Sequence, residues 1–414
     1  MTVRVKRVIS ITLGTIGILG ISVYVPAMLL APLPPVTLQV NPADNASSAA
    51  GHPELVLPGT GANAMNLLDR TATTPIATSG DQKPVVIGGA AKFVTALVVL
   101  ETKPLDGTPR LLTISADDHN SYLQYQAAGA RVLPVLLGET WSEQDALTAL
   151  LLGSSNNHAD ALARWAFGSV ETYVAKANEW LAAHQFNLRV DDATGLSPKN
   201  TGTAWEVTQL AGRLLANPSV AAMYAPTGRQ VAGARAIPDV IAHLADAGVR
   251  TLARSFTDQG GLGLVFTYPI PATAAAPART FIGTMLMMPD YATLDAAVLA
   301  LVGSIPAASQ PAQVIRQGEV YGTVTSVWGQ HATLVAQATR TSSQWGPAAH
   351  TRSITLDTFS TADTGKVVGK ITVKTDTDVS STLELGSAIT DPGPLWRLTH
   401  PVELFSLMIR QVIG

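Results

Sequence analysis

The 414-residue sequence predicts an α+β fold in which helices pack on an antiparallel sheet, followed by a small β-rich domain. Helical spacing of apolar residues dominates between about residues 60 and 305. Two apolar, strand-like runs, Leu262–Thr267 and Thr280–Met288, lie near the end of that region. From about Gln310 the period of the apolar pattern changes to two. We therefore expect two folded domains, residues 60–305 and 306–414, preceded by an N-terminal segment.

The N-terminal segment begins basic and then becomes apolar. Arg4, Lys6 and Arg7 precede an uncharged run of 24 residues from Val8 to Ala31. A helix of that length, at about 1.5 Å per residue, spans a hydrocarbon layer of about 30 Å. Residues 1–32 are therefore interpreted as a cytoplasmic basic tip and an uncleaved transmembrane anchor, with a cleaved secretory signal as the alternative. The positive-inside rule places the rest of a single-pass membrane protein outside the cytoplasm, and no later segment is expected to cross back.

Residues 33–59 are rich in Pro, Ala and Ser, and contain the run NPADNASSAAG. This composition is typical of a mostly unstructured linker. We expect a stalk between the membrane and the first folded domain.

Within residues 60–305 the apolar spacing predicts a series of helices. Thr203 is the expected N-cap of one of them. The predicted helices are Ala90–Glu101, Trp141–Ala166 with a break at Gly153–Asn157, Val170–His184, Ala204–Ala216 and Asp295–Leu301.

The C-terminal region alternates apolar and polar residues around Val320–Ser326, Ile354–Leu356 and Ile371–Val373. Gly- and Asp-rich turns separate these runs, which predicts an antiparallel β domain. A last helix is expected to begin near Pro401, because Pro suits the first helical position.

Composition excludes several kinds of chemistry. A net charge of −3 provides no basic face for nucleic acid, so no nucleic-acid partner is expected. The absence of cysteine rules out disulfides, thiolate metal sites and a cysteine nucleophile. The eight His residues show no metal-ligand spacing, so neither a metal nor a cofactor is expected. Ser, Lys, His and carboxylates remain as candidates for catalysis.

Four segments in the predicted α+β domain resemble the D-alanyl-D-alanine carboxypeptidases, the low-molecular-mass penicillin-binding serine peptidases. They are FVTALVVLE at 93–101, the turn Ser154-Ser155-Asn156, the stretch Asp192–Asn200, and FTDQGGLGLVFT at 256–267. They follow the family's order over about residues 60–303, and in the third segment Thr194 stands where the family has Ser. The resemblance implies a penicillin-binding/β-lactamase-like fold and serine-type chemistry on the D-Ala-D-Ala end of peptidoglycan stem peptides.

The chemistry of that family needs a Ser three residues before a Lys at a helix N-terminus. This spacing places hydroxyl and amine on one helix face, where a Lys of lowered pKa takes the proton of the Ser. Here Lys92 is present, but position 89 is Gly, which has no oxygen with which to attack. None of the nine lysines follows a Ser or Thr by three residues. We predict a degenerate member whose nucleophile is lost.

The family's Lys-Thr-Gly strand is altered as well. Anchored on Phe256, its positions hold Ala253, Arg254 and Ser255, and a shift by one residue gives Arg254, Ser255 and Phe256. Arg254 and Ser255 are predicted to be degenerate substrate-binding residues, because Arg binds carboxylates bidentately. A solvated strand Arg is the alternative for Arg254.

The middle element is intact, so Ser154 and Asn156, with Lys92, are the predicted catalytic remnants. A buried Lys is costly unless it is paired. We expect Ser154 and Asn156 to satisfy Lys92, either as a structural polar cluster or as part of a ligand pocket. The N–H groups of Gly88 and Gly89 are candidates for binding a carbonyl or carboxylate.

Two further features are expected to be structural. The Asp192–Asn200 stretch is interpreted as a loop away from the chemistry, and His158 as a helix-surface residue.

Three hypotheses for function follow. The first is an inactive, membrane-anchored homologue that binds peptidoglycan stem peptides or cell-wall partner proteins. The second is a weak carboxypeptidase that uses Ser154 with Lys92. The third is a scaffold protein that acts through its β domain.

Overall fold

The computed structural model divides the chain into two compact units. One unit, the central domain, is Pro53–Gln310, and the other, the terminal domain, combines Met1–His52 with Pro311–Gly414. The structure describes residues 17–18, 20–40, 55–70, 73–107, 110–225, 230–232, 235–272, 277–342, 351–374 and 378–405.

Strands and helices are numbered here in chain order. The strands are β1 (Thr37–Gln39), β2 (Ala62–Leu67), β3 (Ala77–Gly80), β4 (Val85–Val86), β5 (Leu111–Thr113), β6 (Thr140–Ser142), β7 (Thr201–Gly202), β8 (Gln230–Ala232), β9 (Arg235–Ile237), β10 (Arg250–Thr257), β11 (Gly261–Ile270), β12 (Arg279–Met288), β13 (Ala312–Ile315), β14 (Val320–Thr325), β15 (His331–Ala336), β16 (Arg340–Ser342), β17 (Arg352–Leu356), β18 (Val367–Val373) and β19 (Val379–Leu385). The helices are α1 (Gly20–Leu30), α2 (Ala91–Thr102), α3 (Ala116–Ala127), α4 (Glu143–Leu151), α5 (Asn156–Phe167), α6 (Val170–Ala183), α7 (Ala204–Leu215), α8 (Pro218–Met223), α9 (Tyr291–Ala308) and α10 (Pro394–Thr399).

The central domain is built on a five-stranded antiparallel sheet in the order β10-β11-β12-β2-β3. Strand β2 is buried along its whole length, as is expected of a strand covered on both faces. Strand β10 lies at an edge of this sheet, so its outer backbone groups face away from β11. The predicted α+β class, with helices on an antiparallel sheet, is confirmed.

Local capping explains where most of the helices begin. A Ser, Thr, Asn or Asp side chain accepts a backbone N–H at the start of each helix from α3 to α9. Thr203 caps α7 as predicted, and forms a capping box with Glu206. The short α10 has no side-chain cap, and neither has α2, which follows a 3-10 turn at Gly88–Ala90. Helix α2 is buried over almost its whole length, so tertiary packing stabilises it instead.

The predicted helices are present, with differences at their ends. The helical break lies at residues 152–155, so α5 begins at Asn156 inside the segment predicted to be irregular. The closing helix α9 is longer than the predicted Asp295–Leu301. Helix α3 was not predicted, because its polar sequence ADDHNSYLQYQA has only a weak apolar stripe.

The terminal domain contains a six-stranded antiparallel sheet in the order β1-β14-β15-β19-β18-β17. Alternate residues of its strands form one apolar core, which includes Val324, Leu334, Ile371, Leu383 and Leu385. Strand β1 comes from the N-terminal segment and pairs with β14, with Leu38 opposite Val324. The predicted unstructured stalk is therefore wrong for residues 37–39, while residues 41–54 lie outside the described part of the chain.

Helix α1 contacts the C-terminal segment of the same domain. The hydroxyl of Tyr24 donates to the carbonyl of Leu398 at 2.7 Å, and Arg397 donates to the carbonyl of Ala31 at 2.6 Å. The apolar contacts bury Met28, Ala31 and Leu404. Residues 401–405 are helical, as predicted from Pro401. Only the second half of the predicted 8–31 span lies in α1, and most of its first half is outside the described residues.

Among the described residues, α9 has the length and apolarity needed to cross a membrane. The expectation that no later segment is long enough was therefore wrong by length and composition. One third of α9 is buried, along a stripe through Leu294, Val298, Leu301 and Ile305 that faces the apolar interior of the domain. We assign α9 to the core of the central domain, since a stripe of this spacing is typical of a helix packed on a sheet.

Candidate active site

A cleft of about 200 Å³ lies at the N-terminus of α2. It is lined from five segments of the central domain, which are Gly89 with Lys92, residues 129–131, Ser154 with Asn156, residues 194–196, and residues 255–257. The structure thus brings together all the predicted site residues except Arg254.

Lys92 extends from the first turn of α2 and is only 5% exposed. Its Nζ donates to the backbone carbonyl of Thr194 at 2.5 Å. Burial lowers the pKa of Lys92 to about 8, Asp192 opposes this shift, and Arg131 adds to it. The expectation that Ser154 and Asn156 satisfy Lys92 was wrong, because the carbonyl of Thr194 accepts its hydrogen bond instead.

The Asp192–Asn200 loop forms one wall of the cleft, so the expectation that it lies away from the chemistry was also wrong. The carboxylate of Asp192 accepts backbone N–H groups from Thr194, Gly195 and Ser197, which fixes the loop. Gly195 has a φ of +83°, and a Cβ there would lie 2.0 Å from the carbonyl oxygen of Gly88. Only glycine allows the loop to approach the start of α2 this closely. This contact places the carbonyl of Thr194 over Lys92.

The Ser154-Ser155-Asn156 turn divides its roles among its three residues. Ser155 caps α5 through the N–H of His158 and is fully buried. Ser154 has a φ of 45°, an uncommon conformation for a residue with a side chain, and its hydroxyl forms no hydrogen bond with the described residues. Asn156 is 3% exposed, and its Oδ1 has no hydrogen-bond partner in the described part of the chain. The turn therefore presents one hydroxyl and one buried amide to the cleft.

Position 89 has little room for a side chain. The N–H of Gly89 donates to Ser255 Oγ at 3.0 Å. A Cβ on Gly89 would lie 2.9 Å from Ser255 Cβ, closer than real Cβ contacts allow. The N–H that was predicted to be available for a carbonyl or carboxylate is therefore already bonded within the protein.

The β10 strand separates the side chains of Arg254 and Ser255. Ser255 faces α2 and lines the cleft. Arg254 extends to the other side of the strand, where it donates to the carbonyl of Val240 at 2.7 Å and lies over the ring of Tyr291. The prediction of Arg254 as a substrate-binding residue was wrong, because neighbouring residues of a strand point to opposite faces.

Arg131 is a cleft residue that sequence reasoning missed. Its backbone carbonyl accepts the N–H of Asn156 at 2.9 Å, and its guanidinium donates to the carbonyl of Arg254 at 2.7 Å. Burial and the charge of Arg254 lower the pKa of Arg131. The surrounding sequence, Gly-Ala-Arg-Val, has no motif that marks it.

His158 lies in the core, not on the helix surface as expected. It is fully buried, its Nδ1 lies 2.8 Å from Ser155 Oγ, and its ring packs edge-on against Trp141. Over the described residues, no group of three or more His, Asp or Glu side chains has a geometry that would hold a metal ion.

Comparison with known proteins places this cleft in context. Residues 56–231 match a family model described as D-alanyl-D-alanine carboxypeptidase. Penicillin-binding protein 5 from Haemophilus influenzae has the same fold, with a TM-score of 0.54 at 16% identity over 82% of this chain and 99% of that one. The peptidoglycan synthesis regulatory factor PBP3 from Streptococcus pneumoniae gives 0.54 at 18% identity over 81% and 100%. The D-alanyl-D-alanine carboxypeptidase DacD from Francisella tularensis gives 0.53 at 14% identity over 85% and 100%. No curated protein sequence matches the chain.

Proposed function

Since the central domain belongs to the D-alanyl-D-alanine carboxypeptidase family, we propose that the protein acts in peptidoglycan metabolism as a membrane-anchored homologue that binds but does not acylate. The observation that carries this proposal is Gly89. It stands three residues before Lys92 at the start of α2, where the attacking hydroxyl of a serine peptidase is needed. Without that oxygen, no acyl-enzyme forms by the family's route.

The alternative nucleophile, Ser154, lacks the activation that this chemistry requires. A nucleophile and its base must lie within hydrogen-bond reach, at about 2.6–3.2 Å. The amine of Lys92 is directed to the carbonyl of Thr194, and among the described residues the hydroxyl of Ser154 forms no hydrogen bond. The strained backbone of Ser154 is the feature that favours a functional role for it, so it remains the second candidate.

The cleft retains groups suited to binding a peptide end. Lys92 provides positive charge, and Asn156 provides an amide oxygen that has no hydrogen-bond partner among the described residues. Leu196 and Phe256 add exposed apolar surface at the rim. A cation, an amide and an apolar rim together suit a short peptide that ends in a carboxylate, which is the chemistry of a peptidoglycan stem.

The membrane anchor in this proposal is the N-terminal apolar run. Its described part, α1, exposes Ile21, Val23 and Leu30, which agrees with contact to lipid. Such exposure is costly in water and favourable in a bilayer. With basic residues before the run, the folded domains are placed on the extracytoplasmic side.

Reaction with a labelled penicillin tests the absence of acylation. The full-length chain in detergent is incubated with the label, and its intact mass is measured. We expect no adduct. A covalent adduct would contradict the proposal, and its loss in Ser154→Ala would identify Ser154 as the nucleophile.

Titration with a peptide ending in D-Ala-D-Ala separates the binding protein from a scaffold that acts only through its β domain. We expect saturable binding to the full-length chain. No response up to millimolar peptide would favour the scaffold hypothesis.

A further inference from the structure

The backbone groups that an extended ligand would use in the cleft are already bonded to the protein's own side chains. We infer that Ser255 and Arg131 are internal competitors, which must be displaced before a peptide can pair along β10. This inference rests on the proposed binding of a stem peptide.

The hydroxyl of Ser255 occupies the backbone N–H donor at the start of α2, which belongs to Gly89. The N–H of Gly89 lies beside the helix start, where a ligand carbonyl or carboxylate would be bound by the helix N-terminus. Ser255 Oγ accepts this N–H at 3.0 Å, and also lies 2.8 Å from where a Cβ on Gly88 would be. A ligand oxygen and the Ser255 hydroxyl cannot share that space.

The guanidinium of Arg131 occupies a backbone carbonyl acceptor on β10, which belongs to Arg254. Because β10 is an edge strand, its outer carbonyls are available to an added extended chain. The carbonyl of Arg254 is one of these, and it accepts the guanidinium of Arg131 at 2.7 Å. The backbone of Arg131 is tied to the opposite wall through Asn156, so its side chain spans the cleft.

Charge repulsion weakens the hydrogen bond from Arg131 to the carbonyl of Arg254, so this bond is suited to being displaced. The positive charge of Arg131 is repelled by Lys92 within the cleft and by Arg254 on the other face of β10, while Asp192 already accepts several backbone N–H groups. The two self-contacts therefore set how readily a peptide enters, and Ser255 and Arg131 are specificity-determining residues for this site.

The test is peptide affinity in single variants. The probe is a fluorescently labelled peptide ending in D-Ala-D-Ala, measured by anisotropy with the full-length chain. Ser255→Ala removes one neutral hydrogen bond and is expected to tighten binding about fivefold. Arg131→Ala removes a charge-assisted one and is expected to tighten it about tenfold.

Matched controls remove the same kinds of hydrogen bond outside the cleft. Ser169→Ala deletes a hydroxyl that accepts the N–H of Thr172, and Arg70→Ala deletes a guanidinium that donates to the carbonyl of Thr74. Neither is expected to change peptide affinity.

Several outcomes would overturn the inference. Weaker binding in Arg131→Ala would show that Arg131 binds the peptide instead of competing with it. Unchanged affinity in both single variants would show that the self-contacts do not limit entry, and in either case peptide binding itself would stand. If neither the wild-type chain nor the double variant binds, both the inference and stem-peptide binding fail, while penicillin labelling still decides the question of acylation.

Discussion

Positions 89 and 255 are predicted to be sterically coupled. In Gly89→Ser, the new Cβ would lie 2.9 Å from Ser255 Cβ, whereas carbon atoms pack best at about 3.5–4.0 Å. Overpacking of this kind costs about 1–3 kcal/mol, so we expect Gly89→Ser to lower the free energy of unfolding by about 2 kcal/mol. Ser255→Gly loses the hydrogen bond to Gly89 and gains chain entropy in the unfolded state, which together cost about 2 kcal/mol. In the double variant the overpacking disappears, so the double change is expected to cost about as much as Ser255→Gly alone.

The assay is a urea titration of the full-length chain followed by tryptophan fluorescence, with the coupling free energy taken from the double-mutant cycle. A coupling of about 2 kcal/mol is expected. The control cycle pairs Ser255→Gly with Gly212→Ser, because a Cβ on Gly212 meets only a side-chain atom at 3.9 Å. That control pair should be additive. Additivity between Gly89→Ser and Ser255→Gly would refute the assignment of Ser255 to the position facing the lost nucleophile.

Three further predictions concern Lys92, Gly195 and Tyr24. Burial lowers the pKa of Lys92 from 10.5 to about 8, so between these values the unfolded chain binds its proton more tightly. The free energy of unfolding of the wild-type chain should therefore rise by up to about 3 kcal/mol, relative to that of Lys92→Met, as the pH increases from 8 to 10.5. Denaturant titrations of both chains across this pH range measure the difference. Parallel pH profiles for the two chains would contradict a buried amine at position 92. In the same titrations, Gly195→Ala should lower the free energy of unfolding by at least about 2 kcal/mol more than Gly168→Ala. Both glycines have a positive φ, but only a Cβ on Gly195 would meet a backbone atom. Equal losses in the two variants would exclude the contact between the loop and the start of α2. Tyr24→Phe should increase the rate of tryptic cleavage after Arg397 about fivefold, because it removes one hydrogen bond between α1 and the C-terminal segment. An unchanged rate would argue against the packing of α1 on that segment.

Features of the fold that depend on local interactions were predictable from the sequence. The start of α7 follows from Thr203 and Glu206, whose capping box involves residues three positions apart. Strands β11 and β12 follow from continuous apolar runs, which indicate burial on both faces. Strand β1 was not predictable in the same way, because three residues are too few to show a period and its partner β14 is almost three hundred residues away.

The candidate site was predictable in its members but not in its contacts. The spacing to Lys92 reveals the missing hydroxyl at position 89 without any structure. The hydrogen bond from Lys92 to Thr194 and the one from Arg131 to Arg254 each join residues about a hundred positions apart. No local pattern encodes such pairs, because they depend on how separate loops meet at the start of α2. Arg254 was misassigned for a related reason. Aligning a motif with an edge strand does not show on which face of that strand each side chain lies.

The most direct test of the central claim is the release of D-alanine from a peptide ending in D-Ala-D-Ala. Full-length protein is compared with buffer alone and with the Ser154→Ala variant under identical conditions. We predict that the wild-type chain releases no more D-alanine than either control, because position 89 has no hydroxyl. Repeated turnover by the wild-type chain, lost in Ser154→Ala, would contradict the account and show that the cleft catalyses the family's reaction from a different serine.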